Sequence, residues 1–296
     1  MPDATSSAPF FLLGPTAVGK SALAVGFAER VGGEIIGADA LQIYDGLDVL
    51  SAKPSAELRV RVPHHLVGEV PLAAHFDVAQ WLTRARECVA EITARGLVPI
   101  VCGGTGLYVR ALTHGLAPLP GADAALRASL EKEPLPELAE RLLSLDPASA
   151  VDMRNPRRVI RALEVCILTG RPFSSFRSEW SGDVAPRGFI LTRPREELHA
   201  AIRARTEAMF AAGVIEEVAC TGETGPTASQ MLGLREIREH LAGRITREQC
   251  IEAIALATRQ YAKRQLTWFR RERAFAWIDL SSTLDPLGEL LAAFAR

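Results

Sequence analysis

The octapeptide Gly-Pro-Thr-Ala-Val-Gly-Lys-Ser, residues 14–21, follows directly on the apolar run Phe10-Phe11-Leu12-Leu13. It fits the pattern G-x-x-x-x-G-K-[ST], a loop whose backbone N–H groups cradle phosphates while its lysine reaches them. Such a chain must build a strand, a phosphate loop and a helix in that order, which predicts a parallel α/β sheet. Gly14, Pro15, Thr16, Ala17, Val18, Gly19, Lys20 and Ser21 are the expected phosphate-binding residues. Lys20 would meet the phosphates, and the Ser21 hydroxyl would hold Mg²⁺ or a phosphate oxygen. ATP or GTP is the usual cargo of such a loop. The loop itself recognises only a diphosphate-like stretch, so the rest of the ligand must be read elsewhere in the chain.

Alternation of strands and helices continues beyond the loop. The pattern predicts a helix over Ser21–Arg30, broken at Gly32-Gly33, then the strand "EIIGAD" ending at Asp39. A helix is expected over Phe76–Arg95, stopped by Gly96, and a buried strand in "LVPIVCGGTG". Ligands of parallel sheets bind beyond the carboxyl ends of the strands. Three such ends stand out: the phosphate loop, Asp39, and Gly103-Gly104-Thr105. From about Ala117 to Pro186 the pattern turns helical, and "RGFILT" (Arg187–Thr192) returns to the sheet. The expected fold is therefore a P-loop NTPase-like parallel sheet core, residues 1–116 and 187–296, with a helical insertion domain, residues 117–186. The C-terminal part reads as mostly helical, with a long segment from about Thr246 to Arg273.

Bulk properties narrow the classes. The 296 residues are 48% hydrophobic with a net charge of −1, so affinity for nucleic acid must come from local patches rather than from the whole-protein field. The five cysteines are scattered without a CxxC pair, which suggests neither zinc nor disulfides and fits a reducing cytoplasm. The N-terminus lacks a basic region and has only a short apolar run, unlike a signal peptide, and no apolar run is long enough to span a membrane.

Several residues carry competing readings. Asp39 suits a metal partner of an NTPase, a general base, or a helix N-cap. "CGGTGLY" (Cys102–Tyr108) is either a tight turn or a backbone closely approached by substrate, with the Thr105 hydroxyl available for hydrogen bonding. "RNPRRVIRALEV" places Arg157 and Arg161 on one helix face. "TRQYAKRQLTWFRRER" mixes Arg259, Lys263, Arg264, Arg270, Arg271 and Arg273 with Tyr261, Trp268 and Phe269. Each basic stretch is a solvated helix face or a nucleic-acid contact. The adjacent His64 and His65 read as structural.

Together these segments resemble the tRNA dimethylallyltransferases (tRNA isopentenyltransferases). The matching pieces run in family order: "GPTAVGKS", "EIIGADALQIYDGLDVLSAKPS", "VPHHLVGEV", "PIVCGGTGLYVRAL", "NPRRVIRALEVCILTG", "IRARTEAMFAAGVIEEV" and "TRQYAKRQLTWFR". The resemblance implies transfer of a dimethylallyl group from dimethylallyl diphosphate to N6 of adenosine 37 in tRNA, with Mg²⁺. It implies a monomer whose helical insertion helps grip the anticodon stem-loop, without a membrane partner. It carries catalytic roles onto Asp39, Lys20, Thr105 and Arg205. Contact with tRNA is carried onto Asp39, Ala40, Leu41, Gln42, Thr105, Arg127, Arg157, Arg158, Val159, Ile160 and Arg161. Ala40 stands where the family commonly has serine, Ser21 where threonine is frequent, and Gly-Leu-Arg-Glu (Gly233–Glu236) where Gly-Tyr-Lys-Glu is usual. No zinc-finger extension is expected. Three other readings share some of the motifs: a P-loop kinase, an adenylate isopentenyltransferase acting on free nucleotide, and a non-catalytic RNA-binding module. The arginine-bearing insertion favours tRNA over AMP.

Overall fold

The computed structural model describes residues 8–179 and 186–295. Its sheet consists of β1 (Phe10–Leu13), β2 (Gly33–Ala38), β3 (His64–His65), β4 (Val98–Gly103), β5 (Arg187–Thr192) and β6 (Ala276–Asp279). All pairings are parallel, in the order β3-β2-β4-β1-β5-β6. β1 is buried at every residue, as its unbroken apolar run requires of a strand covered on both faces. The chain fills the sheet on one side of β1 as far as β4, then crosses to β5 on the other side. β1 is therefore the switch point, where a crevice opens beyond the strand ends. The register aligns those ends: Leu13 lies level with Gly103 and with Ile190, and Ala38 with Gly103.

The helices of the first half are α1 (Lys20–Val31), α2 (Ala56–Arg61), α3 (Val78–Ala94) and α4 (Gly106–His114). α1 ends at Gly32, which takes φ 67° and donates its N–H to the Ala28 carbonyl. α3 starts two residues later than its apolar pattern suggests. Asp77 caps it, with Gln80 reaching back to close a capping box. Then come α5 (Ala124–Leu130), α6 (Leu135–Leu145), α7 (Pro156–Thr169), α8 (Arg195–Ala211), α9 (Val214–Ala219), α10 (Leu234–Leu241), α11 (Arg247–Phe269) and α12 (Pro286–Phe294). α11 is the long C-terminal helix, with Thr246 and Gln249 forming its capping box. Among the described residues no helix is long and apolar enough to cross a membrane.

Two compact units emerge, one within Met1–Thr113 and Val184–Arg296, the other within His114–Asp183. The first holds the sheet and a core that includes Phe10, Leu12, Phe27, Ile100, Leu191 and Ile202. Phe27 stacks on Phe10 at 4.7 Å and meets Phe294 edge-on at 5.6 Å, which fastens α12 to α1. Each such ring pair adds about 1 kcal/mol beyond the area it buries. The second unit packs α5, α6 and α7 around Leu130, Leu138, Leu142, Val159 and Leu163.

Candidate active site

The phosphate loop is built on backbone that side chains resist. Gly14 has φ 150°, and a Cβ there would stand 2.5 Å from the Leu191 carbonyl oxygen; Gly19 has φ 105°. Ala17 itself takes φ 64°. Lys20 opens α1, and its Nζ donates to the Pro15 carbonyl at 2.7 Å, folding back over its own loop. Burial pushes the Lys20 ammonium down to about 8, against the pull of Cys102 and Asp39 and with the help of Arg205. A lysine so placed gains a full charge when an anion replaces the lost water.

Lys20, Ser21, Thr16, Asp39 and Arg205 line one chamber of about 460 Å³. A smaller chamber shares Thr16, Asp39, Gln42 and Arg205 with it and is otherwise walled by Leu41, Met209, Met231, Ile254 and Tyr261, among others. The site is therefore charged at the loop end, while beyond Asp39 aliphatic side chains alternate with hydroxyl groups such as Ser51, Thr206 and Thr258. Arg205 stands at the junction. Its Nε is buried without a hydrogen-bond partner. Burial lowers its pKa, offset in part by the charge of Asp39. A guanidinium nitrogen left dry and unpaired is costly, so this geometry suits an anion that brings the missing acceptor.

Asp39 leaves β2 into a turn rather than a helix. Its Oδ1 accepts from the Leu41 N–H at 2.9 Å and the Gln42 N–H at 3.3 Å, so the carboxylate caps a turn and not the helix that its N-cap reading expected. Thr105 staples this turn to the end of β4. Its Oγ1 accepts from the Ala40 N–H at 3.0 Å, and its own N–H donates to the Ala38 carbonyl at 3.0 Å. The Thr105 hydroxyl is thus engaged in positioning the strand end that carries Asp39. Gln42 turns its amide away, donating to the Ala52 carbonyl at 2.8 Å.

Gln265 is the residue that the sequence reading missed. From α11 its Oε1 accepts from the Thr16 N–H at 2.8 Å, and its Nε2 donates to the Gly104 carbonyl at 2.9 Å. One buried amide thereby ties the phosphate loop to the turn after β4. The glycines of that turn make room for protein, not for ligand. A Cβ at Gly103 would strike Ala38, at Gly104 the Gln265 amide, and at Gly106 the Trp268 ring. Tyr261 faces the same way: burial raises its pKa, while hydrogen bonding to Thr105 and Gln265 pulls it down. Of the aromatics in "TRQYAKRQLTWFR", Phe269 is fully buried, while Tyr261 and Trp268 are half-buried beside the site and the turn after β4. Replacing Gln265 with Met keeps the volume but orphans the Thr16 N–H and the Gly104 carbonyl, at about 1–3 kcal/mol each. The expected result is a melting point lower by several degrees and inorganic diphosphate bound about tenfold more weakly by calorimetry. Unchanged diphosphate affinity would make Gln265 a purely structural brace.

The expected tRNA residues of the helical unit divide in two. Arg154, Arg157 and Arg158 are exposed around the start of α7. Val159 is fully buried and Ile160 nearly so; both belong to the core of the unit, so their side chains serve packing rather than an RNA surface. Arg127 and Arg161 converge on Glu164, which has no exposed side-chain surface. Arg127 makes a two-pronged contact at 2.9 Å, and Arg161 also donates to the Pro120 carbonyl at 2.7 Å. Burial alone would raise the Glu164 pKa, but the two arginines and the Asp123 N–H outweigh it and hold the carboxyl below its ordinary value. These arginines neutralise a buried carboxylate, a structural role beside the RNA contact expected of them. The i,i+3 spacing of Arg161 and Glu164 was the signal for it. Arg161→Ala should cost this unit about 1–3 kcal/mol, seen as faster amide exchange in α5 and α7. Exchange at the wild-type rate would show that Arg127 alone suffices.

His64 and His65 each contact a protein group, and His64 also lines the chamber of Lys20. His64 Nδ1 contacts the Val62 carbonyl at 2.7 Å, and His65 Nε2 contacts the buried Glu34 at 2.6 Å. In "GLRE", Gly233 takes φ 94° before α10, Leu234 is buried, and Arg235 pairs with Glu236 at the surface.

Comparison with known proteins agrees with this geometry. Residues 42–272 match the family described as IPP transferase, and residues 9–62 match the family described as isopentenyl transferase. A tRNA dimethylallyltransferase of Akkermansia muciniphila is 44% identical over 278 residues, 93% of this chain and 95% of the relative. One from Geobacter sulfurreducens is 41% identical over 294 residues, 95% of this chain and 94% of the relative. Among solved structures, a full-length tRNA isopentenylpyrophosphate transferase from Bacillus halodurans superposes with a TM-score of 0.74 at 33% identity, covering 98% of this chain and 96% of that one. A eukaryotic dimethylallyltransferase acting on tRNA superposes with a TM-score of 0.81 at 25% identity, covering 97% and 78%.

Proposed function

The chain belongs to the IPP transferase family, and from that premise we propose how its site works: it transfers a dimethylallyl group from dimethylallyl diphosphate to N6 of adenosine 37 in the anticodon stem-loop of tRNA. The observation that carries this reading is the meeting of Lys20 and Arg205, whose buried Nε lacks a hydrogen-bond partner, in one chamber with Asp39, beside a smaller chamber walled in part by Leu41, Met209, Met231 and Ile254. A diphosphate fits the charged end, and the aliphatic side chains of the smaller chamber offer contacts to a five-carbon allyl chain.

The allylic C1–O bond breaks as the diphosphate leaves, and the positive charge that develops on carbon is delocalised. Loop N–H groups, Lys20 and Arg205 stabilise the negative charge on the departing oxygens, in a site that is already organised for it. N6 of the flipped adenine attacks C1 and loses a proton to Asp39 as the new C–N bond forms. The Asp39 carboxylate is preset by the Leu41 and Gln42 N–H groups, and Thr105 fixes the strand end beneath it. Mg²⁺ fits here through the Ser21 hydroxyl, which shares the chamber with Lys20. Among the described residues no cluster of three His, Cys, Asp or Glu side chains could hold a metal, so the ion would come bound to the diphosphate, adding to its neutralisation.

Incubation with dimethylallyl diphosphate, Mg²⁺ and an adenosine-37 stem-loop, followed by nucleoside mass analysis, tests the proposal. Prenylation of AMP as efficient as that of the stem-loop would assign the chain to free nucleotides. Steady phosphate release from ATP without prenyl transfer would make it a kinase or ATPase.

A further inference from the structure

The turn formed by residues 47–53 lines both chambers of the site: Ala52 and Lys53 face the larger one, and Leu50, Ser51 and Ala52 the smaller. Within it the Ser51 N–H bonds the Leu47 carbonyl at 2.9 Å, and the Ala52 N–H bonds the Val49 carbonyl at 3.1 Å. The Val49 and Leu50 N–H groups precede those bonds, like the unsatisfied first donors of a helix. Glu217 of α9 takes both: its Oε1 accepts from Val49 at 2.8 Å and its Oε2 from Leu50 at 2.9 Å. At the other end Gln42 Nε2 donates to the Ser51 carbonyl at 3.2 Å and to the Ala52 carbonyl at 2.8 Å. A carboxylate thus meets the N–H end and an amide NH₂ the carbonyl end, as the dipole of such a turn favours. The turn needs this clamp. Leu47 and Ala52 both take φ 51°, a region that side chains rarely adopt and that persists only where the surroundings over-determine it. Local sequence explains how Glu217 arrives there. Gly213, with φ 87°, turns α8 straight into α9, and Val214 and Val218 bury in the same core cluster as Leu47 and Leu50. Glu217 lies one helical turn after Val214, on the side that this packing brings to the 47–53 turn.

The far side of the same turn faces outward. Asp48, Val49 and Ala52 line a surface cleft of about 450 Å³, together with Arg59 and Ala212. Ala52, Arg205 and Met209 border both this cleft and the smaller inner chamber, so a single layer of side chains separates the two. Water is the nucleophile that such a partition has to exclude. If water attacks C1 of the donor, the C1–O bond to diphosphate breaks and the attacking water gives up a proton to solvent. Dimethylallyl alcohol and diphosphate result, and the donor is wasted. Glu217 lines neither inner chamber, so it acts on the chemistry only through the turn. We propose that Glu217 is a positioning residue for the transfer: by holding the 47–53 turn beside Arg205 and Met209, it keeps bulk water from the allylic carbon, so that N6 is the nucleophile that reacts. This role rests on the proposed function.

The test incubates the full chain with dimethylallyl diphosphate, Mg²⁺ and an adenosine-37 stem-loop, and counts both the diphosphate released and the prenylated RNA formed. In wild type the two should match. Glu217→Ala leaves the Val49 and Leu50 N–H groups without their acceptor. It should release about 2–10 diphosphates per prenylated RNA, with the excess recovered as dimethylallyl alcohol. Its kcat for transfer should fall about 10–100-fold, the scale of a small misplacement, while donor KM stays within about threefold because the phosphate loop is untouched. Glu217→Gln keeps one acceptor oxygen and should fall between the two. Glu216→Ala, at an exposed position of the same helix, should match wild type. The product ratio is taken per turnover, so a loss of folded protein does not move it. A wild-type ratio in both Glu217 variants overturns the proposal and leaves Glu217 a brace of the fold. So does an equal excess in Glu216→Ala. If wild type forms no prenylated RNA, the proposed function falls and this role falls with it; if wild type is coupled and the Glu217 variants are too, the function stands and only the role falls.

Discussion

Asp39→Asn is expected to lower kcat by about 10²–10⁴-fold, with tRNA and donor affinities within about twofold of wild type. The substitution isolates proton acceptance because the asparagine oxygen can still take the Leu41 and Gln42 N–H bonds that Oδ1 accepts now. The turn that follows β2, and with it the Thr105 staple to Ala40, should therefore survive. What is lost is a group able to take the N6 proton. The amine is a poor nucleophile because its lone pair is spread into the purine ring, so the missing base is felt in the chemical step. Single-turnover transfer to a stem-loop, with filter binding of the same RNA, separates the two effects. Full turnover by Asp39→Asn would leave the carboxylate only its turn-capping role. A parallel loss of affinity and rate would mean the loop had collapsed.

Which parts of this site could be read from sequence follows from how far apart its partners lie. The phosphate loop was legible because its chemistry is local: glycines, lysine and serine sit within eight consecutive residues behind a buried strand. Asp39 was legible as the last residue of an apolar strand in a parallel sheet, where ligands bind. Gln265 was not, since its partners Thr16 and Gly104 are 249 and 161 residues away and the charges around it drew the reading towards RNA. Helix periodicity in α11 separates the two sides: Tyr261, Gln265 and Trp268 fall at i, i+4 and i+7 facing the site, while Arg259, Lys263 and Arg270 fall on the other. Arg161 was read for its charge and its helix face, and Arg127 came with it from the family resemblance. A buried glutamate three residues on from Arg161 converts them into supports of the helical unit, and tertiary burial is what a charge count does not contain.

Lys20→Ala should reduce kcat/KM for the donor by about 10³-fold, on the order of 4 kcal/mol, the scale of removing one preorganised charge from a leaving group. A subtler result is expected from the wild-type protein. With the Lys20 ammonium pushed down to about 8 by burial, the empty site is charged below that pH and loses its proton as pH rises through it. A bound diphosphate favours the charged lysine and raises its pKa, so binding above pH 8 must take up a proton. Donor affinity is therefore full below about pH 8 and falls by up to tenfold per pH unit above it, until the pKa of the bound state is reached. The diphosphate does not cause this slope, because phosphate groups complete their ionisation near pH 6–7. Lys20→Arg keeps a charge that does not titrate in this range, and its donor affinity should be flat from pH 7 to 9.5, though weaker for lack of fit. The measurement is donor Kd by calorimetry across that range for both proteins. A flat wild-type profile, or an equal slope in Lys20→Arg, would show that Lys20 does not hold the diphosphate as a titrating charge, and the task would pass to Arg205 and the loop N–H groups.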